Sequence, residues 1–404
     1  METNETYYGL PKNVKFCSKC VISNQRPSTV VEFKNIPSAS KSTIIFDDEN
    51  VCNACRYAEH KENVIDWKIR EEELIELCNK HRSKDGSYDC IVPGSGGKDS
   101  VFSAHILKYK YKMNPLTVTW TPHIYTDVGW SNFQNWIHSG FDNILLSPNG
   151  KLHRLLTKLA FENLCHPFQP FIIGQKLIGP RYSALYDIPL IFYGENQAEY
   201  GNLIEENESP TMKSSFFMEE INLDSLYLGG VPVKQIFDQY GYSINDLNPY
   251  LPVNPEKLKK TGTQVHYLGY YLRWDPQECY YYSAENAGFQ ANKERTEGSY
   301  SKYDSIDDKM DPLHYYTMLI KFGIGRATKD AAQEIRNGKI TREEGVALVH
   351  RYDNEFPKKH FKENLEYMDI SEERFWEIID KSRSPHLWKN ENGTWVLMYK
   401  VQNL

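Results

Sequence analysis

The sequence predicts an α/β protein, a doubly wound parallel sheet with helices on both faces, preceded by a cysteine-bearing segment and followed by a helical region. Three observations carry this. Short apolar runs alternate with helical patterns between residues 87 and 196; two Cys-x-x-Cys pairs bracket a loop-rich start; and the last section reads as helices closed by a hairpin. The implied division is 1–60, a metal-binding knuckle segment; 61–330, the sheet domain with a substrate flap; and 331–404, the helical region.

Taken in order, residues 1–57 hold Pro27, Pro37 and a Ser/Lys stretch, and the alternation in STIIFDDENVC predicts one strand delivering the second cysteine pair. From about 56 to 83 the pattern is helical, with Val64, Trp67, Leu74, Leu77 and Cys78 as an apolar stripe. SYDCIVPG (87–94), PLTVTW (115–120), NILLSP (143–148) and IPLIFYGEN (188–196) read as strands; the stretches 100–112, 132–141 and 152–164 between them read as helices. This alternation means βαβ units, and such sheets bind ligands beyond the carboxyl ends of their strands. Residues 204–215 and 285–311 are polar loops or flaps. Thr341 and Glu344 form a capping-box pattern, 371–383 is a second helix, and Asn392-Gly393 predicts a hairpin turn.

A net charge of −7 and a pI near 6.0 argue against the broad basic footprint that gripping long nucleic acid requires. No apolar run approaches the roughly 18 residues of a membrane span, and the first ten residues lack the charged and apolar regions of a signal peptide, so the expected location is cytoplasmic.

GSGGKDS, Gly94 to Ser100, lies directly between a buried strand and a helix. Glycines let the backbone approach an anion, the helix start offers unsatisfied N–H groups, and Lys98 and the serine hydroxyls add contacts. A Walker A loop is excluded because Asp99 follows Lys98. The dinucleotide fingerprint fails because Asp99 stands where its third glycine belongs. The polar end of the 188–196 strand, Glu195 and Asn196, aims at the same cleft.

Cys17-x-x-Cys20 and Cys52-x-x-Cys55 supply four thiolates as two knuckles, the ligand set of a closed tetrahedral Zn²⁺ site that would hold a zinc-ribbon-like segment lacking its own apolar core. Free cysteines or iron are the alternatives.

Ser95, Gly96, Gly97, Asp99 and Ser100 complete an S-G-G-x-D-S pattern, and this loop resembles that of the PP-loop ATP pyrophosphatases. The resemblance implies an adenine nucleotide α-hydrolase-like fold, ATP cleaved between its α and β phosphates with Mg²⁺ shielding them, and adenine beside Thr119 and Trp120. Over roughly residues 16–380, CSKCVISNQRP, FDDENVCNAC, CIVPGSGGKDS, YGENQAEYG and KFGIGRATKDA together resemble the N-acetyl sugar amidotransferases of lipopolysaccharide and of pseudaminic- or legionaminic-acid biosynthesis. That implies an N-acetylated sugar substrate whose acetamido oxygen is adenylated and whose AMP is then displaced by ammonia. Lys98, Asp99, Lys321 and Arg326 are the expected catalytic residues, the last two as cations closing over the phosphates.

Residue 2 is Glu and no cysteine sits in a G-x-C-x-G turn, so the resemblance implies a separate glutaminase subunit or free ammonia. Two alternatives stay open: a tRNA-thiolating PP-loop enzyme, which the acidic charge and the single, scattered Cys90, Cys165 and Cys279 disfavour, and a non-catalytic zinc-ribbon adaptor, against which the intact loop argues.

Overall fold

The computed structural model describes residues 5–202 and 209–403. Its centre is a five-stranded parallel sheet of β1 (Cys90–Pro93), β2 (Pro115–Trp120), β3 (Asn143–Leu146), β4 (Leu190–Tyr193) and β5 (Gln264–Tyr267), in spatial order β3-β2-β1-β4-β5. Ile91 faces Leu116 on one side and Ile191 on the other, which makes β1 the central strand. The chain winds outward from β1 to β3, then returns to β4 on β1's free side. The strand order therefore reverses between β1 and β4, and a crevice opens there beyond the carboxyl ends.

Two of the inner strands, β1 and β4, are short unbroken apolar runs because both faces are covered. Ile91, Val118, Ile191 and Val265 enter one core with Leu177 and Ile178; Cys90, Val92 and Phe192 enter the other with Val101, Ala104 and Trp136. The longer helices before and between the strands are α1 (Asn53–Asn63), α2 (Trp67–His81), α3 (Lys98–Tyr109), α4 (Asp127–His138), α5 (Gly150–Leu164) and α6 (Gln169–Tyr186). After β5 come α7 (Pro276–Ala287), α8 (Asp311–Phe322), α9 (Arg326–Arg336), α10 (Arg342–Tyr352) and α11 (Glu372–Lys381). Thr341 and Glu344 make both bonds of the expected capping box. The hairpin β6 (Trp388–Glu391) and β7 (Thr394–Leu397) turns at Asn392 and Gly393, with φ of 53° and 87°, the pair of left-handed residues that such a tight turn requires.

Some expectations are corrected. The helical pattern at 56–83 is two helices: the chain leaves α1 at Val64, and the Asp66 carboxylate caps α2 by accepting from the Lys68 and Ile69 N–H groups. Val64 is consequently 66% exposed, whereas Leu74 and Cys78 are buried. STIIFDDENVC is not a strand. Asp47 accepts from the N–H groups of Glu49 and Val51 and folds the chain into a turn, leaving single bridges at Phe46–Cys52 and Pro27–Thr43. Residues 288–310 have no regular structure, as expected, yet Ser299, Ser301 and Asp308 are buried, so this stretch is a packed wall. Residues 204–208 of the other expected loop, like the first four of the N-terminal segment, lie outside the described residues.

The stretches divided at 60 and 330 share one buried core, in which Cys17, Ile91, Phe375 and Leu387 all take part. Among the described residues, no helix is long and apolar enough to cross a membrane.

Candidate active site and metal centre

Gly94 to Gly97 connect β1 to α3 at the point where the strand order reverses. Gly96 has φ of +85°, and a Cβ there would lie 2.6 Å from the Phe133 Cα on α4, so the loop is pressed against that helix and only glycine fits. A Cβ on Gly94 would meet the Ser100 Cβ at 2.2 Å. Gly97 caps α3 without a side chain, which leaves the first-turn N–H groups open to an anion. The Ser100 hydroxyl donates to the Gly97 carbonyl at 2.9 Å and fixes the turn.

This loop lines a cavity of about 430 Å³ together with Glu195, Lys176, Tyr303 and the run Asp304–Asp308. Lys98 is buried and donates to Asp99 Oδ2 at 2.6 Å and Asp304 Oδ1 at 2.9 Å. Burial alone would strip its proton; Asp304 and Asp99 overcome that and hold its pKa above the usual lysine range. Asp99 is pushed up to about 6, chiefly by burial, with Glu195 and Asp304 adding repulsion that Lys98 only partly offsets. Its Oδ1 has no partner among the described residues. Glu195 accepts from the Tyr200 hydroxyl, and Asn196 caps the turn that follows by accepting from the Ala198 N–H at 3.0 Å.

Asp304 is the hub of the opposite wall. Besides Lys98 it takes Lys329 on its other carboxylate oxygen, and Arg326 donates to its backbone carbonyl. Arg326 is fully buried and pairs with Asp311 at 2.7 Å. The structure thus brings Lys98, Asp99, Ser95, Ser100 and Glu195 to one cleft, with Arg326 one residue behind it. Arg326 does not reach over the loop; it positions the acidic wall.

Four expected residues lie elsewhere; Asn196 is one, fully buried behind Glu195 and Gln197 and outside the cavity lining. Thr119 and Trp120 do not line the cavity. Both are buried: the Thr119 hydroxyl accepts from Asn143, and Trp120 packs edge-on against Tyr250 at 5.4 Å, filled in by Gly174 from behind. The end of β2 turns its side chains into the core, away from the crevice. Lys321 lies in a second cavity and donates to the Leu164 carbonyl at 3.1 Å. Sequence reasoning missed Asp304 and Lys329; the acidic run YDSIDDKMD and the lysine after KFGIGRAT were the available signals.

The cysteine quartet converges. Cys17 and Cys55 sulfurs lie 3.8 Å apart, as do those of Cys20 and Cys52, and all four fall within 4.8 Å of one another. Three backbone N–H groups, of Lys19, Cys20 and Cys52, point at the Cys17 sulfur at 3.4 Å, the donor pattern that supports a thiolate. These residues suit a bound metal. The second knuckle opens α1, whose Lys61 makes a buried ion pair with Glu199, four residues past Glu195.

Residues 297–402 match the family model described as LPS biosynthesis protein WbpG-like, C-terminal domain. This span contains Asp304, Asp311, Arg326 and Lys329. An uncharacterized protein of Methanocaldococcus jannaschii, MJ1599, is 35% identical over 82 residues, covering 20% of this chain and 28% of that protein. The match thus spans little more than a quarter of that relative's length. Among solved structures, the U34-tRNA thiolase NcsA of Methanococcus maripaludis with its 4Fe–4S cluster superposes at a TM-score of 0.28 and 14% identity, covering 83% of this chain and 88% of that one. That likeness is too loose to carry an argument. Residues 297–402, about a quarter of the chain, are thus similar to the C-terminal domain of WbpG-like LPS biosynthesis proteins, and that match does not extend to the cleft loop or the cysteine quartet.

Proposed function

We propose that this protein is an ATP-dependent amidotransferase of surface-glycan biosynthesis, converting an acetamido group of an N-acetylated sugar to an acetamidino group. The observation that carries it is the S-G-G-x-D-S loop standing at the crevice between β1 and β4 and lining its cavity, with a helix start that no side chain caps. The WbpG-like match supports the glycan setting. The buried state of Cys78, Cys90, Cys165 and Cys279, none of which lines the cleft, speaks against a sulfur-carrying cysteine there.

The chemistry follows from what the residues can hold. An amide is a poor electrophile, so its oxygen attacks the α-phosphorus and pyrophosphate leaves. Lys98 and the α3 N-terminus bear the charge on the departing phosphates, a contribution of the oxyanion-hole kind. Ammonia then adds to the imidate carbon, AMP departs, and loss of a proton leaves the amidine. Mg²⁺ would neutralise the triphosphate; Asp99, which lines the cleft and has an Oδ1 without a partner among the described residues, is the residue suited to hold it. Ammonia comes from a separate glutaminase or from solution.

We read the quartet as a structural Zn²⁺ site. Four sulfurs at about 2.3 Å from one tetrahedral ion are spaced by roughly 3.8 Å, which matches the 3.8 Å pairs. A multi-iron cluster places its thiolates on different irons and needs wider spacing.

The test is product analysis of purified protein with ATP, ammonium and N-acetylated sugars. AMP and pyrophosphate released only when both ammonium and sugar are present is the expected result, with a sugar product one mass unit lighter. ADP and phosphate, or AMP release indifferent to ammonium, would sink the reading.

A further inference from the structure

A second cavity, of about 210 Å³, adjoins the phosphate cleft: Thr29, Ile172 and Lys176 line both. Its walls are mostly apolar, from Phe33, Ile173, Met318 and Phe322 among others, yet three lysines project into this lining, Lys41, Lys176 and Lys321. Such walls raise the cost of any charge placed there.

Among the described residues none of the three lysines makes a direct ion pair; Glu32 and Glu195 act on them only from a distance. Lys41 donates to the Asn35 amide oxygen at 3.1 Å, Lys321 to the Leu164 carbonyl at 3.1 Å, and Lys176 lies 5.6 Å over the Tyr193 ring. Glu32 is the one carboxylate in the lining, and it is occupied by His166 at 3.3 Å and Asn35 at 3.0 Å. His314, also in the lining, leaves its Nδ1 buried without a partner among the described residues. Burial pulls all three lysines below the usual range, Lys321 to about 8. Lys321 is buried and Lys41 and Lys176 are half-buried, and buried cations without a carboxylate in contact are rare in folded proteins because an unpaired buried charge is costly. In a chain of net charge −7, a supply of carboxylates was not the obstacle.

From this we infer that the second cavity is the acceptor site, and that the acceptor carries an oxyanion, a phosphate or a carboxylate, seated on Lys41 and Lys321 with its reacting amide at the Lys176 junction. The inference rests on the amidotransferase reading for the amide, and on the cavity alone for the oxyanion. The apolar walls then take the acceptor's methyl groups and the lysines take its charge, so a neutral N-acetylated sugar fills only half of the recognition.

The experiment measures equilibrium binding, by tryptophan fluorescence, of N-acetylglucosamine, its 1-phosphate, and an N-acetylated uronic acid to the full-length protein and to Lys41→Met. Either anionic probe should bind at least tenfold tighter than the neutral sugar, the scale of one charge-assisted hydrogen bond, and Lys41→Met should erase that preference while Lys41→Arg restores most of it. Phosphate and carboxylate as the source are told apart by which of the two probes carries the preference. Equal binding of the neutral and both anionic sugars overturns the inference, as does a preference untouched in both Lys41→Met and Lys321→Met. Turnover separates this from the reaction: anion-selective binding with no ammonium-dependent AMP release leaves the site standing and removes the amidotransferase reading.

Discussion

The cysteine quartet and the phosphate loop are both polar sites set into apolar surroundings, and they are finished in opposite ways. The quartet is closed: its four sulfurs are buried, they meet one another, and the N–H groups that face them come from the same short segment. The loop is held open by proxies. Lys98 is satisfied by Asp304, over two hundred residues away in sequence, and Asp99 keeps an oxygen without a partner among the described residues. A site meant to hold one ion permanently can be completed from its own neighbourhood. A site that exchanges ligands has to keep charged groups solvated or paired while it waits, and here distant carboxylates do that.

The comparison breaks most visibly if the metal is removed. Cys52→Ser should lose the one equivalent of zinc per chain and unfold the N-terminal segment, because structural zinc contributes on the order of 10 kcal/mol to such segments. Metal analysis and hydrogen exchange over residues 16–57 check it, and full zinc retention would show that the quartet is not the ligand set. The open site should respond the other way, losing chemistry without losing fold. Asp99→Asn and Ser95→Ala should each lower AMP release by about 10²–10³-fold with melting temperature shifted by only a few degrees. In the unaltered protein, activity should fall as pH drops through about 6, where Asp99 takes up its proton; the Asn variant should lack that acid limb.

The smallest effect concerns Lys321, whose burial lowers it from 10.5 to about 8. Below pH 8 it is charged in both folded and unfolded states, and the folded state bears the desolvation cost. Between about 8 and 10.5 the folded state has already released the proton while the unfolded chain still holds it, so stability rises with pH across that window. Lys321→Met should therefore be no less stable than the parent at pH 7 and should flatten the rise between pH 8 and 10.5. Thermal melts across that range decide it; a clear loss of stability at pH 7 would make Lys321 a structural residue.

How much of this was readable in the sequence depends on how local each signal is. β1 to β4 were legible because buried parallel strands are short, continuous apolar runs between helical patterns, and the quartet because its spacing alone defines it. β5 was not, since GTQVHYLG offers four strand residues with a polar start. α6 was hidden by Pro170, Gly174, Gly179 and Pro180, which break the helical pattern; in the fold, Gly174 makes room for Trp120 and Gly179 for Pro93. The GSGGKDS loop was read correctly as a β1–α3 turn, whereas Thr119 and Trp120 fall outside the cleft because proximity to a strand end does not say which way a side chain turns, and Lys321 because its helix, α8, carries it to the second cavity. Asp304 is the instructive omission: the acidic run around it is a signal, but which of its carboxylates meets Lys98 is settled only by the folded chain.

The buried Lys61–Glu199 pair is a direct contact between the helix of the quartet and the turn beside the cleft. Lys61 stands on the helix that begins at Cys52, and Glu199 on the turn just past Glu195. If nucleotide binding firms that turn, it must tighten the metal's grip by the same factor by which the metal tightens nucleotide, since binding free energies around a closed cycle are reciprocal. A chelator would then act as an inhibitor competing with nucleotide at a distance, without ever entering the cleft.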